Sequence, residues 1–243
     1  EPIVNGPAYW GIAGYPISHS LTPKLFEIVG AELGLKAQSV YLEADSMDEF
    51  EANLENLQGD IWLSCTAPLK HSPQARLAVS GPEGVNAINQ LKRTNGVWSG
   101  TCTDGVGFVA ACRHIGVEPN ESILRMRGGG SAARAIAAAW AEEGGSVIPI
   151  EGRRPLIGGP WDSAIISDGE ADLAIDLDAA AGGGESAELS AKQQVSISYG
   201  EDATVDDFAV IMVAAQHLEA WKRLFAPEIR EEIPSLDDLL ARL

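Results

Sequence analysis

The first half of the chain alternates short apolar runs with stretches in which apolar residues recur at helical spacing. Tyr9–Gly14 is an apolar run that ends in glycine, and it predicts a first strand. Thr22-Pro23 supplies an N-cap and a first-turn proline, and Gly34 ends the periodic pattern of the helix that follows. The same reasoning predicts strands over 39–42 and 61–66, a helix over 47–57 and a hairpin over 92–98 with Asn95-Gly96 as its turn.

The second half contains a unit of the kind that binds nucleotides. A strand over 123–126 runs into Gly128-Gly129-Gly130-Ser131, an Ala-rich helix over 132–143 follows, and 146–150 forms the next strand. Around this unit we expect further elements, namely a helix over 105–115, strands over 173–177 and 195–198, a mobile loop over 179–185 and a long last helix after Asp206-Asp207. Alternating strands and helices favour parallel sheets, and the break near Thr103 suggests two lobes.

Composition narrows the class of partner. The 243 residues carry a net charge of -18, which argues against nucleic acid and anionic membranes. An anionic substrate must then be held by local positive charge and hydrogen bonds, unless the acidity serves only solubility. Three cysteines without CxxC spacing and four scattered histidines predict neither a disulfide framework nor a metal site. With no membrane-length apolar run and no visible signal peptide, we expect a cytoplasmic protein.

The glycine turn is a candidate for binding a pyrophosphate. Gly128, Gly129 and Gly130 lack a Cβ, and a helix N-terminus follows at Ser131 and Ala132. A plain loop is the alternative interpretation. At the end of the next strand, Glu151 suits the ribose 2′-hydroxyl of NAD, whereas Arg153 and Arg154 suit the 2′-phosphate of NADP. The residues alone leave that choice open.

Polar residues in the loops of the first half are candidates for proton transfer. Lys70 follows a strand and Pro68, Asn89 precedes the hairpin, and Asp104 begins a helix. Each has an ordinary alternative, since Lys70 suits a solvated surface, Asn89 a turn and Asp104 an N-cap. Ser20 and Thr22 place hydroxyl groups in the loop after the first strand, where they suit a carboxylate.

Five motifs in this order resemble those of the shikimate dehydrogenase family, including the quinate/shikimate dehydrogenases. They are GYPISHSLTP at 14–23, CTAPLK at 65–70, AIN at 87–89, GTCTDGVG at 100–107 and GGGSAAR at 128–134. The resemblance implies an α/β fold of two lobes. It implies a substrate-binding domain over 1–103, a Rossmann-like dinucleotide-binding domain over 104–205, and C-terminal helices over 206–243 that return to the substrate domain.

The resemblance also implies a reaction and roles for the residues. The reaction is the reversible NADP(H)-dependent reduction of 3-dehydroshikimate to shikimate, by a monomer or homodimer, with Lys70 and Asp104 as the catalytic pair. Ser20 and Thr22 would bind the substrate carboxylate, and Thr66, Asn89 and Asp104 the ring hydroxyls. Gln216 matches the substrate-binding glutamine of the family after a shift of one residue.

Departures from the family pattern keep two alternatives in view. Thr22 replaces a serine and favours quinate as a substrate, and Glu151-Gly152-Arg153 replaces the NRT motif that binds the 2′-phosphate. Ser64 replaces an asparagine, and Arg125 and Arg127 lie in a strand that is usually apolar. One alternative is therefore a quinate/shikimate dehydrogenase that uses NAD. The other is a shikimate-binding homologue without catalysis, with an impaired cofactor lobe.

Overall fold

The computed structural model of the chain describes residues 4–178 and 186–243. The loop expected over 179–185 lies outside these residues. Contacts divide the chain into two compact units. The first consists of the residues up to Pro82 with Asn86–Thr103 and Gln216–Leu243, and the second of Glu83–Val85 with Asp104–Ala215. The units divide between Thr103 and Asp104 and again between Ala215 and Gln216. The functional domains expected over 1–103, 104–205 and 206–243 stay predictions.

A five-stranded sheet organises the first unit, with the strand order β2-β1-β3-β4-β5. Its strands are β1 (Tyr9–Gly14), β2 (Gln38–Glu43), β3 (Ile61–Cys65), β4 (Gln90–Thr94) and β5 (Val97–Thr101). β1 pairs in parallel with β2 and β3, while β4 runs antiparallel to both β3 and β5. The predicted hairpin is confirmed, because Asn95 and Gly96 have φ values of 50° and 80°, as a tight two-residue turn requires.

The helices of the first unit differ from the sequence expectations at their ends. They are α1 (Thr22–Glu32), α2 (Met47–Leu54), α3 (Pro73–Arg76) and α7 (Leu236–Leu240). The N-cap of α1 is Leu21, whose side chain cannot cap, so the expectation that Thr22 is the N-cap was wrong. α2 ends at Leu54 rather than at 57. The sequence suggested a longer helix because the apolar pattern continues into the following turn, in which the Leu57 amide donates to the Leu54 carbonyl.

An aromatic cluster fastens the C-terminal segment to the first unit. Its members come from β1, α1, β3, the end of the helix over Phe208–Ala220 and a π-helical turn over Trp221–Phe225. They are Trp10, Phe26, Trp62, His217, Trp221 and Phe225. Ring centroids of Trp62 and Phe225 stack 5.4 Å apart. A 3-10 segment over Pro227–Glu232 and α7 follow the cluster. Buried aromatic area thus packs this segment against the sheet of the first unit.

A parallel four-stranded sheet organises the second unit, in the order β7-β6-β8-β9. Its elements are β6 (Ile123–Arg127), β7 (Ser146–Ile150), β8 (Leu173–Asp176), β9 (Gln194–Val195), a 3-10 turn over Asp162–Ala164, α4 (Asp104–His114), α5 (Ser131–Glu142) and α6 (Phe208–Ala220). β9 has two residues rather than the expected 195–198. The long last helix expected after Asp206-Asp207 is α6, which ends at Ala220, before the π-helical turn.

α6 begins in the second unit, and its last residues, from Gln216, belong to the first. Among the described residues, no helix combines the length and the apolar character that a bilayer span needs.

Candidate active site

The first unit collects its polar candidates at one edge of the five-stranded sheet. β1 and β3 are parallel, so the loops after them, which carry Ser20 and then Thr66 and Lys70, leave the sheet at the same edge. β4 runs antiparallel to β3, which places Asn89, the residue before β4, at that edge as well. β5 ends there too, and Thr103 follows it. The topology therefore brings together residues that are far apart in the sequence.

The loop after β1 packs closely against the loop after β3. Gly14 has a φ of 143°, and a Cβ at this position would lie 2.5 Å from the Thr66 methyl carbon. The Ser20 hydroxyl accepts a hydrogen bond from the Thr22 backbone amide at 3.2 Å, and Thr22 is buried. Because Thr22 does not cap α1, its hydroxyl is not committed to that role. The Ser20 hydroxyl thus lies against the first residue of α1.

The turn that carries Lys70 is held on both sides. The Leu69 amide donates to the Thr66 carbonyl at 3.0 Å, and the Ile88 amide donates to the Lys70 carbonyl at 2.9 Å. Leu69 is buried in the core of the unit. Burial raises the pKa of the Cys65 thiol to about 12, and the positive charge of Lys70 acts in the opposite direction. The ammonium group of Lys70 therefore acts on the carboxyl end of β3.

Asn89 is fixed by a buried polar network. Its Oδ1 accepts a hydrogen bond from the Thr103 backbone amide at 2.8 Å. The Thr103 hydroxyl accepts from Gln90 Nε2 at 3.1 Å, and the Ser64 hydroxyl donates to Gln90 Oε1 at 2.7 Å. All four residues are buried. Satisfied networks of this kind hold side chains in one orientation, so Asn89 presents its amide in a defined direction.

Sequence reasoning missed the supporting members of this network. Thr103 and Gln90 received no role, although both flank Asn89 or Asp104 directly. Ser64 was recognised only as a departure from a motif. A polar residue at a strand position between apolar neighbours, such as Ser64 between Leu63 and Cys65, is the signal that would have indicated a buried hydrogen-bonding role.

Asp104 and Gln216 stand on helices rather than on these loops. Asp104 is buried, begins α4 and is counted with the second unit. A carboxylate in the first turn of a helix is stabilised by the helix dipole. Gln216 is half-buried on α6, directly before His217 of the aromatic cluster. The catalytic pairing of Lys70 with Asp104 and the substrate contact of Gln216 stay predictions.

The glycine turn over 128–130 is closely packed at its first two residues and open at its third. Gly128 has a φ of 112°, and an added Cβ would lie 3.2 Å from the Leu177 backbone. A Cβ on Gly129 would collide with the Pro155 carbonyl oxygen at 2.1 Å. A Cβ on Gly130, in contrast, would meet no atom of the described residues within 4 Å. The space beside Gly130, at the start of α5, fits the approach of a pyrophosphate.

Arg134 braces the turn from within α5. Its Nε donates to the Val85 carbonyl at 2.7 Å, and its Nη1 donates to the Gly129 carbonyl at 3.0 Å. The side chain is 9% exposed. Sequence comparison included Arg134 in the glycine motif without a role, and the structure gives it a structural one.

The residues expected to select the nucleotide follow β7. Glu151, Arg153 and Arg154 are all exposed. The Arg153 Nη2 donates to the Asp178 carbonyl at 2.9 Å, and the Arg153 backbone amide lies 3.0 Å from both carboxylate oxygens of Asp178. Asp178, which follows β8, was not predicted to meet Arg153. Within the described ranges, no group of three or more His, Cys, Asp or Glu side chains is placed to hold a metal ion.

Comparison with known proteins agrees with these motifs. No protein-family model matches the chain. The curated shikimate dehydrogenase (NADP(+)) of Rubrobacter xylanophilus is 34% identical over 150 residues, which cover 60% of this chain and 52% of that protein. Over these residues the chain is similar to the curated shikimate dehydrogenases. It spans about half the length of the curated shikimate dehydrogenases it matches.

Solved shikimate dehydrogenases share the fold over nearly their whole length. The enzyme from Aquifex aeolicus superposes with a TM-score of 0.73 at 20% identity, covering 97% of each chain. Shikimate 5-dehydrogenase from Thermus thermophilus, solved in complex with NADP(H) and shikimate, gives 0.72 at 19% identity over 96% of this chain and 97% of that one. The predicted α/β fold class is confirmed.

Proposed function

We propose that the chain catalyses the reversible, NADP(H)-dependent reduction of 3-dehydroshikimate to shikimate. The observation that carries this proposal is the single sheet edge that holds Ser20, Thr22, Thr66, Lys70 and Asn89 in the first unit. Likeness to the shikimate dehydrogenases supports the same substrate class.

Each residue of the edge suits one part of the polyol substrate. The hydroxyls of Ser20 and Thr22 bind the carboxylate without adding a positive charge. Thr66 and the fixed amide of Asn89 bind ring hydroxyls, and Gln216 contributes another amide. The Lys70 ammonium donates a proton to the substrate oxygen during reduction and takes it back during oxidation, and Asp104 acts with it. The nicotinamide, when bound, supplies or accepts the hydride.

The second unit fits the pyrophosphate of such a cofactor. The backbone of Gly128, Gly129 and Gly130 precedes α5, whose first residues are Ser131 and Ala132, and the face at Gly130 is open. Glu151, Arg153 and Arg154 follow the next strand and would meet the adenosine ribose. The three cysteines, all within the described residues, are buried thiols outside any disulfide, which suits a reducing compartment and supports our proposal of a cytoplasmic location.

Substitution of Lys70 tests the proposal. We expect Lys70→Ala to lower kcat for shikimate oxidation by roughly 10²–10⁴-fold, with little change in KM, because proton transfer is lost while substrate contacts stay. Lys36→Ala is the matched control, since Lys36 is exposed on the same unit and precedes β2, at the opposite edge of the sheet. Near-wild-type turnover in Lys70→Ala would refute the role of the lysine.

A second candidate function is a quinate/shikimate dehydrogenase that uses NAD. Thr22 favours it on the substrate side, and the engagement of Arg153 by Asp178 favours it on the nucleotide side. Values of kcat/KM for shikimate and quinate, each with NADP⁺ and NAD⁺, separate the two candidates. Shikimate binding in a calorimeter without binding of either nucleotide would instead favour the non-catalytic homologue.

A further inference from the structure

We propose that Asp178 determines the choice of nucleotide, by neutralising the arginines that a 2′-phosphate would need. This inference rests on the proposed dehydrogenase function and concerns its cofactor. Sequence comparison directs attention to Glu151 as the acidic residue of the site. The structure instead places a different carboxylate against Arg153, from the end of β8, which is separated from β7 by β6 in the sheet.

The carboxylate of Asp178 is held firmly at the carboxyl edge of the second sheet. β7 and β8 lie on either side of β6, so the segments after these strands approach each other there. Both Asp178 oxygens lie 3.0 Å from the Arg153 amide, and a Cβ on Gly152 would lie 2.5 Å from the carboxylate carbon. The Asp178 side chain is only 7% exposed.

Asp178 meets two guanidinium groups. Arg127 Nη2 lies 3.3 Å from Asp178 Oδ2, and Arg153 Nε lies 3.7 Å from the same oxygen. Arg127 also pairs with Asp176, whose Oδ1 lies 3.3 Å from the Arg127 Nη1. Two carboxylates and two guanidiniums therefore balance each other at the place where the adenosine ribose is expected.

Asp176 is the fixed partner in this network. Burial acts to raise its pKa, but hydrogen bonds from the Ala187 and Asp178 amides and the charge of Arg127 outweigh burial and hold the pKa below its ordinary value. Asp176 thus stays ionised and keeps Arg127 in place. Asp178 is then the member of the network that faces Arg153.

The two nucleotides respond differently to this arrangement. A 2′-phosphate brings additional negative charge, so it must compete with Asp178 for Arg153 and is repelled by the same carboxylate. A 2′-hydroxyl carries no charge, and a carboxylate is a suitable hydrogen-bond partner for it. We therefore expect the Asp178 charge to weaken NADPH binding relative to NADH binding in the wild-type protein, and its removal to favour NADPH selectively.

The test is a fluorescence titration of NADPH and NADH against the full chain and its variants, without substrate. Asp178→Asn keeps the shape of the side chain and should tighten NADPH binding by roughly tenfold or more, while NADH binding changes by less than about threefold. Asp172→Asn is the matched control. Asp172 pairs with Lys192 and precedes β8, at the opposite end of the same strand, so it removes an equal charge elsewhere on the unit.

Arg153→Ala supplies an independent measurement in the wild-type background. It should change NADPH affinity by less than about threefold in the wild-type protein, because Asp178 already engages Arg153, and should abolish the gain in Asp178→Asn. Unchanged NADPH affinity in Asp178→Asn would overturn the proposal, as would an equal gain in Asp172→Asn. A large loss of NADPH affinity in Arg153→Ala alone would overturn it as well.

These outcomes are separable from failure of the dehydrogenase function. The titrations measure nucleotide binding only, whereas the function fails if shikimate is not oxidised with either nucleotide. If neither nucleotide binds to the wild-type protein or to Asp178→Asn, both proposals are refuted.

Discussion

Replacing His217 tests how the aromatic cluster anchors the C-terminal segment. His217 is buried, its ring centroid lies 4.5 Å from that of Phe26, and its Nε2 accepts a hydrogen bond from Trp221 Nε1 at 2.8 Å. Burial lowers its pKa from 6.5 to about 3, so the folded protein keeps the imidazole neutral. The unfolded chain, in contrast, takes up a proton near pH 6.5.

The sign and size of the effect follow from this difference. The contribution of His217 to the free energy of unfolding is constant above about pH 6.5. It falls as the pH decreases, because the unfolded state binds the extra proton, and levels off below about pH 3. Each pH unit in this window is worth about 1.4 kcal/mol, which gives about 2 kcal/mol between pH 6.5 and 5. A loss of that size is a large part of a typical stability of about 5–15 kcal/mol.

Urea denaturation at pH 7 and pH 5 measures the effect. In His217→Gln, the side-chain amide can still accept a hydrogen bond from Trp221 but does not titrate, so the stability loss between the two pH values should shrink by about 2 kcal/mol relative to wild type. His114→Gln, which replaces an exposed histidine, is the control: its loss of stability between pH 7 and pH 5 should equal that of wild type. An unchanged pH dependence in His217→Gln would refute the reasoning.

Two further substitutions probe the turn and the network. Gly129→Ala should lower the thermal unfolding temperature, because its methyl group would collide with the Pro155 carbonyl oxygen. Gly130→Ala should unfold at the same temperature as wild type, because no atom of the described residues lies near its methyl group. It should instead weaken nucleotide binding in a titration, since the methyl group occupies the space proposed for the pyrophosphate. The opposite order of stabilities would contradict the geometry. Thr103→Val should lower the free energy of unfolding in urea by about 1–3 kcal/mol, because the buried Gln90 amide loses its acceptor. A free energy of unfolding equal to wild type would contradict a stabilising role for this network.

Local signals predicted much of the fold. The Asn95-Gly96 turn and the helix ends at Gly34 and Gly116 all have positive φ, because left-handed backbone is a property of a few residue types and can be read from them directly. Short apolar runs located β1, β3 and β8 because these strands are buried on both faces. Apolar periodicity misplaced the end of α2, since apolar positions continue into the turn that Leu57 closes.

In the candidate site, too, the sequence indicated individual residues but not the long-range contacts that position them. Motifs indicated Lys70 and Asn89, but the geometry that orients Asn89 depends on Thr103, which meets it only once the hairpin has formed. The pairing of Arg153 with Asp178 joins residues 25 positions apart. It requires β7 and β8 to flank the same strand, and this long-range property of the sheet has no local signature in either segment.

The hairpin of β4 and β5 has a consequence for changes in chain length. Its register pairs Gln90 with Thr101 and Thr94 with Val97, and the contact between Asn89 and Thr103 lies just beyond this ladder. The number of residues in each strand of the hairpin thus fixes where Asn89 and Thr103 lie relative to the turn. One residue inserted in a single arm turns every later side chain to the other face, whereas equal additions to both arms preserve the pairing. Natural or engineered variation in the length of this hairpin is therefore tolerated only in matched pairs.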